Sequence, residues 1–243
     1  MTPPPFRKPW RSPGIRSLAA AAIVTAAVAV AAPASAQVAI EGALLSDYRV
    51  RGYSMSDRHP AASLSLSYDD PSGLYIGGSA VGSYHDGDPE VAGVLANAGY
   101  ALRLGPEVSL DAGVSRAEYY YAYRGRHLGY TEFHLGVAAR RVSARVHYSP
   151  DYYRSGTSTL YAEVDGGIEP ATDWLLSAHA GVFTCLSARP TFLPRERYDW
   201  RLGAARRFGA TAMRLDLSGR VHGRPARAAT DATALVLSLT HGF

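Results

Sequence analysis

The last stretch of the chain alternates between two kinds of position. One phase is mostly apolar and holds Thr233, Leu235, Leu237, Leu239, His241 and Phe243, and the other is small or polar and holds Ala234, Val236, Ser238, Thr240 and Gly242. Successive side chains of a β-strand point to opposite faces. The alternation therefore predicts a strand with a different solvent on each side.

The same period-two pattern recurs along the chain. It predicts further strands near 40–52, 61–68, 74–83, 91–103, 107–118, 131–140, 142–149, 158–168, 174–184, 197–207 and 211–222. Nearly every charge falls on the phase that carries Ser and Gly, whereas a soluble β-sandwich would place its charges on the outside. The other phase stays apolar for about ten residues, which is the length that a tilted strand needs to cross a bilayer. The sequence predicts an all-β fold, a transmembrane antiparallel up-and-down β-barrel of about 12 strands.

The connections between these strands alternate in length. The long ones, predicted to be extracellular, are 53–60, 84–90, 119–130, 149–157, 184–196 and 223–232, and the short periplasmic ones are 69–73, 104–106, 141, 169–173 and 208–210. An even number of strands returns both termini to the periplasmic side. Aromatic residues at strand ends predict two interfacial girdles: Tyr68, Tyr100, Trp174 and Phe243 on one side, Tyr48, Tyr148, Tyr198 and Trp200 on the other.

Residues 1–36 have the pattern of a secretory signal. A basic leader precedes the apolar run 18–32, which is too short to span a membrane, and the small-residue site 34–36 follows it. We predict a cleaved signal peptide at 1–36, export to the periplasm, and one outer-membrane barrel domain at 37–243.

Removal of this leader also changes the charge balance. The leader carries four of the 25 Lys and Arg residues and none of the 21 acidic ones, which leaves equal numbers in the mature chain. No basic excess remains to indicate a nucleic-acid partner.

Two stretches resemble known families. The run 45–61 has the spacing S-D-Y-R-x-R-G-x-S-x-S-x-x-x-P-A, which resembles the opening of the TorF family of porins. That resemblance implies an outer-membrane channel barrel. The C-terminal strand, which ends on Phe243, resembles the last strand of bacterial outer-membrane barrels. This second resemblance implies recognition by the barrel-assembly machinery and closure against the first strand.

The first strand also carries the main candidate site. Asp47, Arg49 and Arg51 are predicted to project inward in steps of about 6.6–6.8 Å. The facing positions are small, namely Ser63, Ser65 and Ser67 on one side and Ser238, Thr240 and Gly242 on the other. One hypothesis is a constriction whose paired guanidinium groups meet passing anions while Asp47 holds one of them in place. The alternative is that these groups neutralise carboxylates across the barrel, such as Asp216, Glu163 or Asp111. Further pore-lining candidates are Arg145, Glu163, Arg201, Asp216 and Arg220.

Other chemistry has weaker support in the sequence. The inward histidines His134, His147, His179 and His222 lie on separate strands without a short ligand spacing, so we predict no metal site. No phosphate-binding G-x-x-x-x-G-K motif occurs, and no cofactor is predicted.

Three functions fit the predicted barrel. The first is a channel for passive diffusion of small hydrophilic solutes, which would contact outer-membrane lipid and be inserted by the barrel-assembly machinery. The second is a closed barrel whose Tyr-rich segments 119–123 and 150–153 bind a surface partner. The third is a lipid-acting enzyme, which would need Ser and His adjacent on the lipid-facing phase, where only His241 stands. We predict the channel and no enzyme activity. The oligomeric state stays open.

Overall fold

The computed structural model describes residues 37–85, 88–121, 126–187, 195–222 and 233–243. The predicted signal peptide lies outside these residues. The strands are β1 (Gln37–Leu45), β2 (Arg49–Val50), β3 (Tyr53–Ser54), β4 (Ala61–Asp69), β5 (Leu74–His85), β6 (Asp88–Arg103), β7 (Val108–Tyr121), β8 (Arg126–Ala139), β9 (Val142–Ser149), β10 (Thr159–Ile168), β11 (Trp174–Cys185), β12 (Glu196–Phe208), β13 (Thr211–His222) and β14 (Thr233–Gly242). The described part of the chain contains no helix long and apolar enough to cross a membrane.

Twelve of these strands form one closed antiparallel barrel. Every strand from β4 to β14 pairs with its neighbours in sequence, and β1 pairs with both β4 and β14. The short strands β2 and β3 pair only with each other. The predicted fold class and strand number are confirmed. A closed sheet leaves no edge with unpaired backbone groups, which is the condition for a sheet surrounded by lipid.

The two faces of the barrel have opposite polarity. Apolar side chains stand out from the wall in every strand, with Leu135 69% exposed and Leu235 62% exposed. The alternate positions are mostly polar and face the interior, where Asp165, Asp216 and Ser238 are buried. The prediction of a lipid-facing and a polar phase is therefore confirmed on β4 to β14. Exposed apolar surface on this scale is suited to lipid and unsuited to water.

The first predicted strand is too long. The barrel strand β1 ends at Leu45, and residues 46–60 leave the wall and fold into the interior. Tyr48 and Val50 were predicted to face lipid, but they are only 6% and 8% exposed inside the barrel. The departure begins at Ser46, whose amide donates to the carbonyl of Leu237 at 2.9 Å and whose Oγ accepts from the Leu237 amide at 3.0 Å.

Two connections predicted to be long are mostly strand. β5 and β6 leave only 86–87 between them, and β7 and β8 leave only 122–125. The Tyr-rich run starting at Tyr119 stays in the sheet because its residues continue the period-two pairing, with Tyr119 opposite Leu128 and Tyr121 opposite Arg126. Six residues of the predicted aromatic girdles are exposed, namely Tyr68, Tyr100, Trp174, Tyr148, Tyr198 and Phe243, whereas Trp200 is half-buried and Tyr48 is buried inside the barrel.

The barrel closes along a short seam. β1 and β14 pair from Glu41 opposite Gly242 to Leu45 opposite Ser238. The amide of Phe243 adds one more bond to the carbonyl of Ile40 at 3.0 Å, and its ring packs edge-on against His241. The ring of Phe243 is 80% exposed, so it contributes little to packing within the barrel.

We expect deletion of Phe243 to lower the amount of folded barrel in the outer membrane several-fold, because the deletion removes the last seam bond and the exposed aromatic terminus. Immunoblots of outer-membrane fractions would measure this. Phe208→Ala is a matched control, because Phe208 is another exposed aromatic residue at a strand end. Equal outer-membrane levels of the deletion and of the parent chain would contradict a role of Phe243 in assembly.

Candidate functional site

A hairpin inside the barrel is the main feature of the interior. We call residues 46–60 the inner hairpin. Its arms β2 and β3 pair Arg49 with Ser54 and Val50 with Tyr53. Arg51 and Gly52 both have positive φ, 49° and 75°, as in the two-residue turns typical of tight hairpins. A side chain at position 52 would come within 2.9 Å of the Arg220 Cβ, so the turn lies directly against β13.

Asp47 holds the base of the inner hairpin together. Its carboxylate accepts from Arg49 Nη1 at 2.8 Å and from Ser56 Oγ at 3.2 Å. Ser56 Oγ in turn accepts from the Tyr48 amide at 2.9 Å. Asp47, Arg49 and Arg51 were predicted to occupy successive inward positions of a barrel strand, and this prediction is wrong. They belong to a folded hairpin, because the chain turns inward after Leu45.

The tip of the inner hairpin reaches the opposite wall. Arg51 donates from Nη1 and Nη2 to the two carboxylate oxygens of Glu132 on β8, both at 2.7 Å. The Arg51 guanidinium also lies 3.9 Å above the centre of the Tyr161 ring on β10. Burial alone would lower the pKa of Arg51, but the adjacent Glu132 carboxylate holds that pKa well above its ordinary value. We call the Arg51–Glu132 pair the tip latch.

Strands β12 and β13 contact the turn of the inner hairpin from another side. Arg220 on β13 donates from Nη1 to the carbonyl of Gly52 at 3.1 Å, and its guanidinium lies 4.1 Å from the centre of the Tyr53 ring. Arg197 on β12 lies 4.9 Å from the same ring centre. The inner hairpin thus crosses the interior from β1 and contacts strands on two other sides.

Histidines and carboxylates form a network across the neighbouring strands. His179 has Asp165 at 2.7 Å from Nδ1 and Asp199 at 3.0 Å from Nε2. Arg201 lies 3.8 Å from Asp165. His147 bonds to Glu163 at 3.1 Å and has Glu132 of the tip latch 3.6 Å from its other ring nitrogen.

Two further clusters pair other interior charges. Asp111 contacts His134 at 2.9 Å and Arg145 at 3.3 Å, and Tyr75 lies 2.9 Å from the same nitrogen of His134. On β13, Arg214 donates to Asp216 at 2.7 Å. The charges are interlinked because buried ions are stable only with partners.

Glu163, Asp165 and His179 are the described residues that could hold a metal ion, since their ligand atoms lie within 4.8 Å of one another. Glu163 and Asp165 are two residues apart on β10, and His179 joins them from the neighbouring strand β11. The spacing of the histidines alone therefore could not indicate this set. Both nitrogens of His179 already face carboxylates, and Arg201 stands beside Asp165. The set therefore fits an ion-paired imidazolium better than a metal ligand. His222 is the fourth of the predicted inward histidines, and its side chain is not among those that the structure describes.

The predicted pore-lining residues all lie in the interior. Asp47 holds Arg49, as expected in the constriction hypothesis, whereas Arg51 pairs with Glu132 and not with Asp216, Glu163 or Asp111. Glu132, Asp165, Asp199 and Arg197 were missed as candidates. In the sequence, Glu132, Asp165 and Asp199 fall on the polar phase of their predicted strands, and this was the only signal available for finding them.

An aromatic cluster fills the same end of the barrel as the inner hairpin. Tyr130 lies 4.6 Å from Tyr152 and 5.2 Å from Tyr153 between ring centres, and Phe183 lies 5.0 Å from Tyr152. Tyr119 and Tyr152 are each only 2% exposed. In the alternative of a closed barrel, the segments 119–123 and 150–153 would offer Tyr side chains to a surface partner, and Tyr123 lies outside the described residues. For Tyr119 and Tyr152 this is wrong, because both rings pack inside the barrel.

Solved structures of porins share this fold. A KdgM porin has a TM-score of 0.52 at 10% identity, over 84% of this chain and 99% of that chain. A KdgM porin in complex with disordered oligogalacturonate has a TM-score of 0.50 at 9% identity, over 85% and 99%. At such low identity the similarity establishes the fold only.

A search with the sequence finds no match among curated proteins. The comparisons do not name the TorF family, so that resemblance stays a prediction. A family model does match residues 29–218, which is most of the chain. The chain belongs to Gcw_chp, a family described as bacterial protein of unknown function.

Proposed function

We propose that this protein is an outer-membrane channel for passive diffusion of small hydrophilic solutes, and that the inner hairpin narrows its bore. The observation that carries the proposal is the closed barrel with an apolar exterior and a charged, polar interior. A solute gradient alone would drive transport. The resemblance of residues 45–61 to the TorF family and the fold shared with KdgM porins support the same function.

The proposal includes the location and the orientation of the barrel. Insertion into the outer membrane would follow export to the periplasm and would depend on the barrel-assembly machinery. The inner hairpin follows β1 directly, so it lies at the end of the barrel opposite the N-terminus. With both termini in the periplasm, the inner hairpin would narrow the extracellular half of the channel.

The inner hairpin is suited to control how wide the channel is. It is held by the tip latch, by the bond from Arg220 to Gly52 and by packing against the aromatic cluster. None of these contacts is covalent, and residues 46–60 contribute no strand to the barrel. The hairpin could therefore move while the barrel stays closed. Replacing Arg51 would then change the bore, and it would also leave the Glu132 carboxylate without its cation, which favours cations in the lumen.

A second candidate is a closed barrel without transport. The inner hairpin and the aromatic cluster occupy the same end of the interior, and Tyr48, Val50 and Met55 of the hairpin are part of the buried apolar core. A barrel that is permanently filled at this end would act through its outer surface. The two candidates make opposite predictions for conductance.

We expect a barrel with a shortened hairpin to conduct more than the parent chain. The amide of Met55 donates to the carbonyl of Tyr48 at 2.7 Å, so these two residues can be joined by a two-residue Asn-Gly turn in place of 49–54. Single-channel conductance in planar bilayers would measure the effect. Arg51→Asn is an intermediate variant, because it keeps the hairpin and removes the tip latch together with the contact to Tyr161. It separates release of the hairpin tip from removal of the hairpin. Silence of both the parent chain and the shortened variant would favour the closed barrel.

We expect the tip latch to stabilise the folded barrel. Removing one partner of a buried ion pair costs about 3–5 kcal/mol, so Arg51→Ala and Glu132→Ala should each lower the free energy of unfolding by that order. The double variant should lose less than the sum of the two. Urea unfolding in lipid vesicles would measure this cycle.

Glu107→Ala is the control for this measurement. Glu107 forms an ion pair with Arg140 at 2.7 Å, and both side chains are largely exposed. An exposed pair contributes about 0–1 kcal/mol. Additive losses in the Arg51 and Glu132 variants would show that the two side chains are not coupled.

A further inference from the structure

The interior arginines differ in how their charge is compensated. Most of them have a carboxylate partner: Arg49 with Asp47, Arg51 with Glu132, Arg145 with Asp111, Arg201 with Asp165 and Arg214 with Asp216. Within the described ranges, Arg197 and Arg220 have no carboxylate at ion-pair distance. Their partners are neutral groups, the hydroxyl of Tyr152 for Arg197 and the carbonyl of Gly52 for Arg220.

These two arginines stand beside the same aromatic ring. Arg197 lies opposite His222 in the sheet and Arg220 lies opposite Asp199, so Arg197 and Arg220 are diagonal neighbours on β12 and β13. Diagonal neighbours on adjacent strands are within reach of long side chains. Both guanidinium groups lie within 5 Å of the centre of the Tyr53 ring, at 4.9 Å and 4.1 Å. The tip of the inner hairpin thus carries a ring flanked by two cations.

The guanidinium groups of Arg197 and Arg220 each lack a carboxylate and one hydrogen-bond partner among the described residues. The residue Arg197 is buried, and the Nε atoms of Arg197 and Arg220 are buried without a hydrogen-bond partner among the described residues. Phe183 covers one face of Arg197 at 3.7 Å from its ring centre, which adds a cation–π contact and no negative charge. A buried cation without a counter-ion is costly. Two cations close to each other repel, so an anion that binds between them is stabilised more strongly than it would be by one cation.

Asp199 does not supply the missing charge. It is opposite Arg220 in the sheet, but its Oδ1 accepts from Tyr161 at 3.1 Å and faces Nε2 of His179 at 3.0 Å. No ion pair of Asp199 with either arginine is present in the described part of the chain. Asp199 Oδ1 therefore serves Tyr161 and His179, and Asp199 Oδ2 is buried without a hydrogen-bond partner among the described residues. Asp199 thus stands near the turn without forming an ion pair with either arginine.

We propose that Arg197 and Arg220 bind an oxyanion beside Tyr53, and that the solutes of this barrel carry a carboxylate or a phosphate group. The guanidinium fork matches the oxygens of either group with two parallel hydrogen bonds. An anion at this site contacts Arg220, which also bonds to the turn of the inner hairpin, so its binding acts on the hairpin directly. The transport role rests on the proposed channel function, whereas the binding itself does not require conduction.

The test is equilibrium binding to the full chain refolded in detergent micelles. Malonate and inorganic phosphate are titrated separately by calorimetry at low ionic strength, where charge screening is weak. We expect saturable binding of at least one anion. Arg197→Gln and Arg220→Gln should each weaken it by about 10- to 100-fold, the loss for hydrogen bonds to a charged group. Arg220→Lys, which keeps the charge without the fork, should weaken it less than Arg220→Gln.

The matched control is the double variant Arg214→Gln with Asp216→Asn. It removes an interior guanidinium together with its carboxylate and should leave anion binding unchanged. Heat-modifiable gel mobility checks that every variant is folded, and if Arg197→Gln does not fold, the two Arg220 variants decide. Malonate binding alone assigns carboxylates and phosphate binding alone assigns phosphates. Absence of saturable binding in the parent chain, or an equal loss in the control, would overturn the proposal.

Planar-bilayer recordings separate this proposal from the channel function. A barrel that binds the anion and does not conduct would keep the site and overturn the channel. A barrel that conducts and shows no saturable binding would keep the channel and overturn the site.

Discussion

Closure of the sheet is the constraint on which the rest of this structure depends. In lipid, every backbone amide and carbonyl needs a partner within the protein, and the pairing of β1 with β14 provides partners for the last two edges. That seam is short, because β1 ends at Leu45 and only the residues from Glu41 onward pair with β14. The early end of β1 frees residues 46–60 from the wall. Residues 41–45 of β1 suffice to close the barrel, so the rest of the predicted first strand is free to form the inner hairpin.

Closure also determines the chemistry of the interior. With one face of each strand turned to lipid, all charged residues of the membrane-spanning part must share the inside, where an unpaired charge is expensive. The result is a set of clusters that cross strand boundaries, such as His179 between Asp165 and Asp199. Most interior arginines are neutralised by a carboxylate partner in this way. The positive charge that an oxyanion could use is concentrated at Arg197 and Arg220.

The inner hairpin connects the wall of the barrel with the charged clusters of its interior. Its base is held by Asp47 and Ser56, and its tip contacts Glu132 on β8 and Arg220 on β13. The inner hairpin thus bridges strands far apart in the barrel, and its Tyr53 ring lies beside the two arginines of the proposed anion site. A solute that competes for these contacts would act on the hairpin directly, so permeation and binding would be linked through one small element.

The sequence by itself determined the barrel, because the information needed was local. The alternation from Thr233 to Phe243 assigns each side chain to one face whatever the rest of the chain does, and the same holds from β4 to β13. Only the tertiary structure decided the course of residues 46–60, since Tyr48 and Val50 continue the alternation of β1 yet pack inside. Period-two spacing cannot distinguish a strand in the wall from a hairpin within it. The partner of Arg51 was equally hidden, because Glu132 lies 81 residues away in the chain and the two meet only when the hairpin turns inward across a closed barrel.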